Sequence, residues 1–479
     1  MRPCRPSPVA RSLDPMLLTL TLLAQAPVAI RNVSVIDVAT GSVTPAQTVL
    51  VSGRRVTAVG SASSVGVPTG SAVVDGQGGF VIPGLWDMHV HATNPGLDDL
   101  FLPLLLAHGI TGIRDMWGGM GSIDSARAKI RRGAYPGPRV TGAGNLVDGT
   151  PPIWPGSLGV ATPEAAKRAV DSLAKTGSGF IKVYSRLSPE AYRAIVDESK
   201  QLGIPFAGHI PTLVPASEAS DLGQLTVEHL TNVLLGCSRD EDRLRGDIRA
   251  AVASPRGWDS AGVVSRAQAQ AVLDSYDTDR CRALARRFAK NGTWMVPTLT
   301  VLRSTAYLDD TALAADPRLA FIPPGMASYW NPKQDFRFRT LTAEDWARRK
   351  ATFKRQVEIV GLLKREGVRF LAGTDLANPY IYPGSSLHDE LKNLVDAGFS
   401  PLQALQAATI EPARFYRATD SLGAVSKGYL ADLVVLDANP LADITNSTKI
   451  RAVVLEGRLF DRKALDAMLE AGKERAKRN

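Results

Sequence analysis

Two histidines stand two positions apart in residues 84–92, which read Gly-Leu-Trp-Asp-Met-His-Val-His-Ala. The apolar residues 81–83 just before them are typical of a β-strand, and side chains two apart on a strand point to the same side. His89 and His91 would therefore present their imidazoles together, which is half of a metal site. The alternative is a pair of hydrogen-bonded polar residues at a strand end, and this short motif alone does not decide between the two.

Strand-like and helix-like segments alternate through the middle of the chain. The apolar segments that predict strands are 81–89, 110–116, 140–144, 180–184, 205–210, 226–230, 294–300 and 370–374. The clearest amphipathic helices are predicted at 163–176, 189–202 and 278–291. Eight strands alternating with helices indicate an α/β fold, a (β/α)₈ TIM barrel, over residues 81–423.

Two long insertions interrupt this alternation. Residues 236–275 are charged and follow the sixth predicted strand. Residues 309–340 follow the seventh and are rich in aromatic side chains, so they are either a lid over the substrate or a surface loop.

Valine-rich alternating segments at both ends of the chain predict a second, smaller domain. They lie at 28–35 and 48–59 near the start and at 433–437 and 450–455 near the end. The first group is too small to bury a sheet by itself, and the second group is its natural partner. We predict a composite β-sandwich formed from residues 28–80 and 424–461, flanking the barrel.

Polar side chains stand where the predicted barrel strands end, and a barrel carries its chemistry at that face. Four of the six histidines of the chain fall at such ends, which chance placement would rarely produce. The strand-end residues are His89, His91, Lys182, His209, His229 and Asp375. This pattern favours the metal site over the structural alternative.

In these same residues the chain resembles the amidohydrolase superfamily. The matching pieces, in order, are Pro-Gly-Leu-Trp-Asp-Met-His-Val-His, the strand residue Lys182, Gly-His, Glu-His and Gly-Thr-Asp, followed by a closing signature within residues 423–434. The likeness covers nearly everything after residue 28. It is strongest to the branch of imidazolonepropionase-like proteins and Xaa-Pro dipeptidases (prolidases). The resemblance implies a metal-dependent hydrolase that cleaves an amide or peptide-like C–N bond in a small molecule, such as an amide, an N-acyl amino acid or a dipeptide.

The resemblance also implies a centre of two divalent metal ions. His89, His91 and Asp375 would hold one ion, and His209 and His229 the other. Lys182 would bridge them after carbon dioxide converts its amine to a carbamate; the alternative is a salt bridge between Lys182 and Asp375. Imidazole and carboxylate ligands suit Zn²⁺ without excluding other transition metals.

The implied mechanism begins with a metal-bridging hydroxide that attacks the substrate carbonyl. Asp375 would accept its proton and pass it to the leaving amine. Tyr184 lies two residues beyond Lys182 on the same face and would either stabilise the oxyanion or only pack in the barrel mouth. His388 opens a helix after the loop that follows Asp375 and is a second candidate for contacting the substrate.

One position departs from the dipeptidases that the chain resembles. They carry a histidine after the third strand that helps to hold the substrate carboxylate, whereas this chain has Asn145 there. Asn145 could donate a hydrogen bond to the substrate but brings no positive charge, so dipeptidase specificity does not follow from the resemblance.

Three other functions remain open. A mononuclear deaminase of the same superfamily lacks the bridging lysine, so Lys182 argues against it. A lactonase would use the same attack on an ester carbonyl. A non-catalytic binding protein on the same scaffold would be expected to have lost Asp375 or a ligand histidine, and all are present.

Composition narrows the class of partner. The chain has 479 residues, 44% of them apolar and 22% charged, as in a soluble globular protein. The net charge of +9 is scattered rather than gathered in a basic stripe, which argues against nucleic-acid binding. No segment after the N-terminus is apolar enough to predict a membrane span. A homo-oligomer is left open.

The N-terminus predicts export. Arg2, Arg5 and Arg11 precede the apolar residues 16–23, and Ala-Gln-Ala at 24–26 fits a cleavage site, so residues 1–26 are predicted to be a signal peptide. The mature protein would be secreted or periplasmic, and cytoplasmic if this segment is retained. Export would allow Cys237 and Cys281 to pair, although two buried unpaired thiols are the favoured expectation.

Overall fold

The computed structural model describes residues 26–478. Almost all of the predicted signal peptide therefore lies outside the described residues. The strands are β1 (Val28–Ile36), β2 (Val43–Ser52), β3 (Arg55–Ser61), β4 (Ala72–Asp75), β5 (Phe80–Pro83), β6 (Leu85–Val90), β7 (Ile110–Asp115), β8 (Arg139–Gly142), β9 (Val147–Asp148), β10 (Leu158–Gly159), β11 (Ile181–Val183), β12 (Phe206–Gly208), β13 (Thr226–Glu228), β14 (Trp294–Val296), β15 (Leu433–Leu436), β16 (Ile450–Leu455) and β17 (Arg458–Asp461).

The α-helices are α1 (Asp98–Ala107), α2 (Met120–Arg131), α3 (Pro163–Lys175), α4 (Pro189–Leu202), α5 (Ala216–Asp221), α6 (Val233–Gly236), α7 (Glu241–Val252), α8 (Gly257–Asp274), α9 (Thr278–Asn291), α10 (Leu299–Ala306), α11 (Pro324–Ser328), α12 (Ala343–Arg365), α13 (Ser385–Asp396), α14 (Pro401–Ala407), α15 (Ile410–Phe415) and α16 (Arg462–Ala476). Short 3₁₀ helices lie at Thr311–Ala315, Pro317–Phe321 and Ile444–Thr448. Nothing in residues 26–478 forms a helix both long enough and apolar enough to cross a membrane.

The two ends of the chain share one mixed sheet. Its strand order is β17-β16-β15-β5-β1-β2-β3, with β4 paired to β1. Ile30, Val51, Val81, Val435 and Val454 belong to one cluster of buried apolar residues contributed by both ends of the chain. The predicted sandwich is therefore a single curled sheet with a core of its own rather than two facing sheets.

The predicted strand 81–89 is divided in two by Gly84, which corrects the sequence expectation. Up to Pro83 the backbone belongs to the mixed sheet, where β5 pairs antiparallel with β15. From Leu85 it belongs to β6, which pairs in parallel with β7. A Cβ on Gly84 would lie 2.1 Å from Oγ1 of Thr111, so the crossing between sheets needs a residue without a side chain.

The parallel strands form two sheets, one ordered β6-β7-β8 and the other β10-β9-β11-β12-β13-β14. The predicted eighth strand, 370–374, makes no extended ladder. It is tied by isolated parallel bridges between Met295 and Phe370 on one side and between Val90 and Leu376 on the other. These bridges place it between β14 and β6, so the segments keep their order along the chain, but strand pairing among the described residues does not trace one continuous closed ring.

The three clearest helix predictions are confirmed in α3, α4 and α9, each correct to within one residue. Each begins after a side chain that accepts a backbone hydrogen bond from its first turn, namely Thr162, Ser188 and Asp277. Each cap acts over only two or three residues, so the start of each helix is fixed locally.

The insertion after β13 contains the helices α7 and α8. Ser238 and Tyr276 form an isolated antiparallel bridge at its base. Cys237 and Cys281 are joined there by a disulfide, so the favoured expectation of unpaired thiols is wrong. The two cysteines are far apart in sequence, and only the folded insertion brings the ends of α6 and α9 together.

Candidate active site

All six predicted ligand residues line one cavity of about 870 Å³. His89 lies on β6 and Lys182 on β11, whereas His209 and His229 directly follow β12 and β13. His229 and Asp375 adopt the left-handed backbone conformation, with φ of 56° and 63°. That conformation is uncommon for residues with a side chain and is concentrated at functional sites, where surrounding structure holds it in place.

The imidazoles crowd around the Asp375 carboxylate. Nε2 of His91 lies 2.8 Å from Oδ1 of Asp375, and Nε2 of His89 lies 3.4 Å from the same oxygen. Nε2 of His229 lies 3.7 Å from Oδ2. The ring of His209 lies 5.0 Å from that of His229, centroid to centroid, so the fourth imidazole adjoins the same group.

The ring nitrogens that face away from the cavity are held by the protein. Nδ1 of His89 lies 2.7 Å from Oε2 of Glu228, a carboxylate oxygen that can only accept. Nδ1 of His229 lies 2.6 Å from the Thr298 hydroxyl, which already donates its own proton to the carbonyl of Pro297. Both imidazoles therefore donate from Nδ1, and their Nε2 atoms are left with free lone pairs.

His209 has a similar outer contact, since its Nδ1 lies 2.8 Å from the hydroxyl of Ser185. Burial, followed by the charge of Lys182, holds the pKa of His89 and of His209 well below the usual range. Burial also lowers the pKa of His229. Neutral imidazoles with a free Nε2 are the form that binds metal ions.

The carboxylate of Asp375 is poised to be a ligand as well. Burial alone would raise the pKa of Asp375, but its interactions with His229, His91 and Lys182 outweigh burial and bring it to about 2. Although His91 is close, Oδ1 of Asp375 is buried without a hydrogen bond of acceptable geometry among the described residues. Donor atoms of His89, His229 and Asp375 lie within 4.8 Å of one another, which suits a shared cation.

Lys182 is fully buried beside this group and makes no ion pair with Asp375 within the described part of the chain. Burial lowers the pKa of Lys182 to about 8, against the opposing effect of the carboxylates of Glu228 and Asp375. About a tenth of its amine is therefore unprotonated at pH 7, far more than for a lysine of ordinary pKa. The salt-bridge alternative for Lys182 finds no support in this geometry.

Tyr184 lies at the cavity with its ring stacked on that of His209, centroids 4.0 Å apart. Its hydroxyl oxygen accepts a hydrogen bond of 2.8 Å from Nε1 of Trp154. Burial raises the pKa of Tyr184, so the phenol keeps its proton and can donate it into the cavity.

Two predicted substrate contacts are not brought to the site. Nδ1 of His388 lies 2.8 Å from the hydroxyl of Ser447, in the C-terminal part of the chain. Nε2 of His388 lies 3.1 Å from the carbonyl oxygen of His108. Nδ2 of Asn145 donates to the carbonyl of Gly156 and braces its own loop. Neither residue lines the cavity, because both use their polar groups to hold neighbouring backbone and side chains.

Sequence reasoning missed the residues that position His89. Arg114, fully buried on β7, donates to the carbonyl of Met88 at 2.7 Å and to Oε1 of Glu228 at 2.8 Å. Thr226 also donates to that oxygen. A charged residue inside an apolar strand was the available signal for Arg114. Its partner Glu228 was visible only as the residue before His229.

The turn that carries Asp375 is positioned by a second buried carboxylate. Asp87 accepts from the Thr374 backbone amide at 3.0 Å and from the Thr374 hydroxyl at 2.7 Å. A Cβ on Gly373 would lie 2.9 Å from the Cβ of His89, so the segment can approach β6 only with glycine there. Asp87 lies on the same strand as His89, so these hydrogen bonds hold the turn that places Asp375 opposite His89.

The outer wall of the cavity comes largely from the second insertion, which favours the lid interpretation over a surface loop. Its lining residues are Met326, Tyr329, Trp330, Gln334, Asp335, Phe336, Arg337 and Phe338. The rings of Trp154 and Phe336 meet edge to face with centroids 5.9 Å apart, although Phe336 itself is 58% exposed. The cavity therefore combines a polar floor with an aromatic mouth.

The chain combines parallel strands with imidazoles and a carboxylate at the strand ends. This arrangement is typical of one class of hydrolases, and comparison with known proteins supports the same class. The Amidohydrolase family profile matches residues 80–460. The chain belongs to the amidohydrolase family. The family and its solved members imply a fold based on the TIM barrel.

Solved structures resemble the chain along most of its length. Bottromycin amidohydrolase is 25% identical with a TM-score of 0.70, covering 94% of this chain and 90% of that one. A candidate prolidase from Bifidobacterium longum is 23% identical with a TM-score of 0.64, covering 94% and 99%.

Ochratoxinase from Aspergillus niger is 32% identical over 115 residues, which are 24% of this chain and 23% of that sequence. The chain thus matches about a quarter of the length of its curated relative.

Proposed function

We propose that this protein is a metal-dependent hydrolase that cleaves an amide-type C–N bond in a small molecule. The observation that carries the proposal is the convergence of imidazole Nε2 atoms on the Asp375 carboxylate, whose Oδ1 is buried without a donor. The family membership and the neighbours named as a bottromycin amidohydrolase, an ochratoxinase and a prolidase support the same reaction class.

We propose that these donors hold two divalent metal ions, with Zn²⁺ the ion we favour. His89, His91 and Asp375 would hold one ion, and His209 and His229 the other. A carbamate on Lys182 would bridge them, and the lowered pKa of Lys182 supports this because only the unprotonated amine adds carbon dioxide. When bound, such ions lower the pKa of a nearby water and polarise a carbonyl.

The side chains then have distinct tasks. Asp375, whose pKa of about 2 keeps it ionised, would take a proton from the attacking water and deliver it to the leaving nitrogen. Tyr184 would donate its phenolic proton to the developing oxyanion, since its oxygen is already held by Trp154. Glu228 would act as a positioning residue by fixing the tautomer of His89.

Metal analysis combined with a substrate screen tests this proposal. We expect close to two ions per wild-type chain and hydrolysis of at least one N-acyl amino acid or dipeptide. Lys182→Ala should bind fewer ions, and ¹³C-labelled bicarbonate should give the wild type alone a carbamate NMR signal. Equal metal content near one ion in both proteins would refute the binuclear centre.

An ester substrate distinguishes the chief rival activity. The same groups could attack a lactone, so each active amide should be assayed beside the lactone or ester of the same acyl group. A ratio of kcat/KM that favours the ester by orders of magnitude would reassign the protein as a lactonase. Release of ammonia from an amidine ring would instead indicate a deaminase.

We further propose export and a two-unit organisation. Removal of residues 1–26 in the native protein, read by mass spectrometry, is the expected outcome, and an intact N-terminus in the cytosol would contradict it. The Cys237–Cys281 disulfide supports export because disulfides persist in oxidising compartments. The barrel of residues 81–423 would close through segment 370–374, with the terminal sheet as the second unit.

A further inference from the structure

One arginine belongs to the cavity wall and not to the group of proposed metal ligands. Arg349 lies on α12 and lines the same cavity as the histidines. Its Nε donates to the carbonyl of Thr305 at 3.4 Å, and its guanidinium carbon lies 4.9 Å from the centroid of the Phe338 ring. Those contacts leave both terminal nitrogens of Arg349 without a hydrogen bond to any described residue.

Neighbouring cations are already neutralised by a carboxylate. Arg337, also in the cavity wall, binds Asp335 through two nitrogens, with Nε at 3.0 Å from Oδ1 and one terminal nitrogen at 2.6 Å from Oδ2. Arg348, next to Arg349 in sequence, pairs with Asp345 at 2.5 Å. Arg349 forms no such ion pair within the described chain, although it is half-buried.

The surroundings of Arg349 are unfavourable for an isolated positive charge. Burial, and then the nearby charge of Arg337, lower the pKa of Arg349 to about 10, against the opposing effect of the more distant carboxylates of Asp345 and Asp335. It still carries its charge near neutral pH, in a wall that also contains the rings of Trp154 and Phe338. An anionic group entering the cavity would satisfy the free N–H groups of the guanidinium in the paired geometry that carboxylates favour.

We infer that Arg349 is the specificity-determining residue that binds a free carboxylate of the substrate. The inference rests on the proposed function and narrows it to amides whose amine portion or acyl portion carries a carboxylate, such as N-acyl amino acids, rather than neutral amides. The aromatic mouth at Trp154 and Phe336 makes a bulky apolar or aromatic side chain the expected companion of that carboxylate.

Paired substrates test this directly. N-acyl phenylalanines and their carboxamides, which differ only in charge, should be hydrolysed by wild type, Arg349→Gln, Arg349→Lys and the control Lys354→Gln. Lys354 lies on the same helix, is exposed and is not in the cavity wall, so its substitution removes one charge from α12 without altering the site.

The ratio of kcat/KM for carboxylate over carboxamide is the deciding quantity. We expect Arg349→Gln to reduce that ratio roughly 10- to 100-fold, mainly through KM, as expected for loss of a hydrogen-bonded charge pair. Arg349→Lys should recover part of it, and Lys354→Gln should match the wild type. A fall of equal size on both substrates, or a wild type without preference, would overturn the inference.

A binding measurement separates this inference from the proposed activity. Calorimetry with 3-phenylpropionate, which has no bond to hydrolyse, and its neutral analogue 3-phenylpropan-1-ol needs no turnover. Tighter binding of the acid by wild type but not by Arg349→Gln supports the carboxylate site even if no amide is cleaved. Equal binding of the acid by both proteins refutes the site even if amides are cleaved.

Discussion

Glu228→Gln probes how much of the metal affinity depends on one buried contact. Glu228 accepts from Nδ1 of His89 at 2.7 Å and from Arg114 at 2.8 Å, and its side chain is fully buried. A glutamine has the same shape but offers one acceptor and one donor. If its oxygen faces His89, its amide group opposes Arg114; if it is turned round, its amide group opposes the N–H of His89.

Both orientations have a calculable consequence. If the amide group of the glutamine faces Arg114, the buried guanidinium loses its acceptor. Leaving that charge unpaired costs about 3–5 kcal/mol of stability. If the amide group faces His89 instead, the imidazole must carry its proton on Nε2, the atom that binds the ion in the proposed centre. Loss of such an orienting partner typically weakens metal affinity by about 10–100-fold.

The assay is a chelator competition for the metal, run beside denaturant unfolding of the metal-free protein. A matched control is Glu241→Gln, because Glu241 pairs with the buried Arg245 at 2.6 Å but does not line the cavity. We expect both variants to lose stability and only Glu228→Gln to lose metal affinity. Wild-type metal affinity in Glu228→Gln would mean that the glutamine oxygen faces His89, whereas wild-type affinity in Glu228→Leu, which offers His89 no acceptor in any orientation, would refute the positioning role.

Three further predictions follow from other contacts. Asp375→Asn should keep most of the metal while turnover of the best substrate falls about 100-fold or more, the scale of lost acid–base catalysis; turnover near the wild-type value would assign the proton transfer elsewhere. Burial raises the pKa of Glu390 to about 8, so between about pH 4.5 and 8 the folded state retains a proton that the unfolded state loses. The free energy of unfolding should therefore fall as pH rises through that range, by up to about 1.4 kcal/mol per pH unit. Denaturant midpoints across that range should show this slope in the wild type and a flatter one in Glu390→Gln. Cys281→Ser should destabilise the insertion by about 2–4 kcal/mol, visible as faster proteolysis around α7 and α8, and unchanged proteolysis would mean that packing alone holds it.

The sequence was most informative where chemistry and chain position coincide. His89, Lys182, His209 and Asp375 could be selected because strand ends in an α/β fold point to one face, whatever the details of packing. The helices α3, α4 and α9 could be predicted because the amphipathic pattern of a helix lies within its own segment.

Contacts between remote segments could not be read in this way. His388 resembled a substrate contact by its place after Asp375, but its ring is used by Ser447 in the C-terminal part of the chain. Asn145 is similarly used by Gly156. The break at Gly84 depends on Thr111, a neighbour that only the folded sheets supply. Such partners depend on tertiary packing, for which a single sequence carries no local signal.

The crossing of the chain from β5 to β6 also determines when the site can be completed during synthesis. β5 completes its pairing only with β15, which leaves the ribosome near the end of translation, whereas His89 lies a few residues beyond β5. Contacts of such long sequence separation form slowly because the intervening chain must first be ordered. The strand that bears His89 should therefore gain its full support last, after the other residues of the candidate site have emerged. A nascent chain would then pass through most of its synthesis with the candidate active site incomplete.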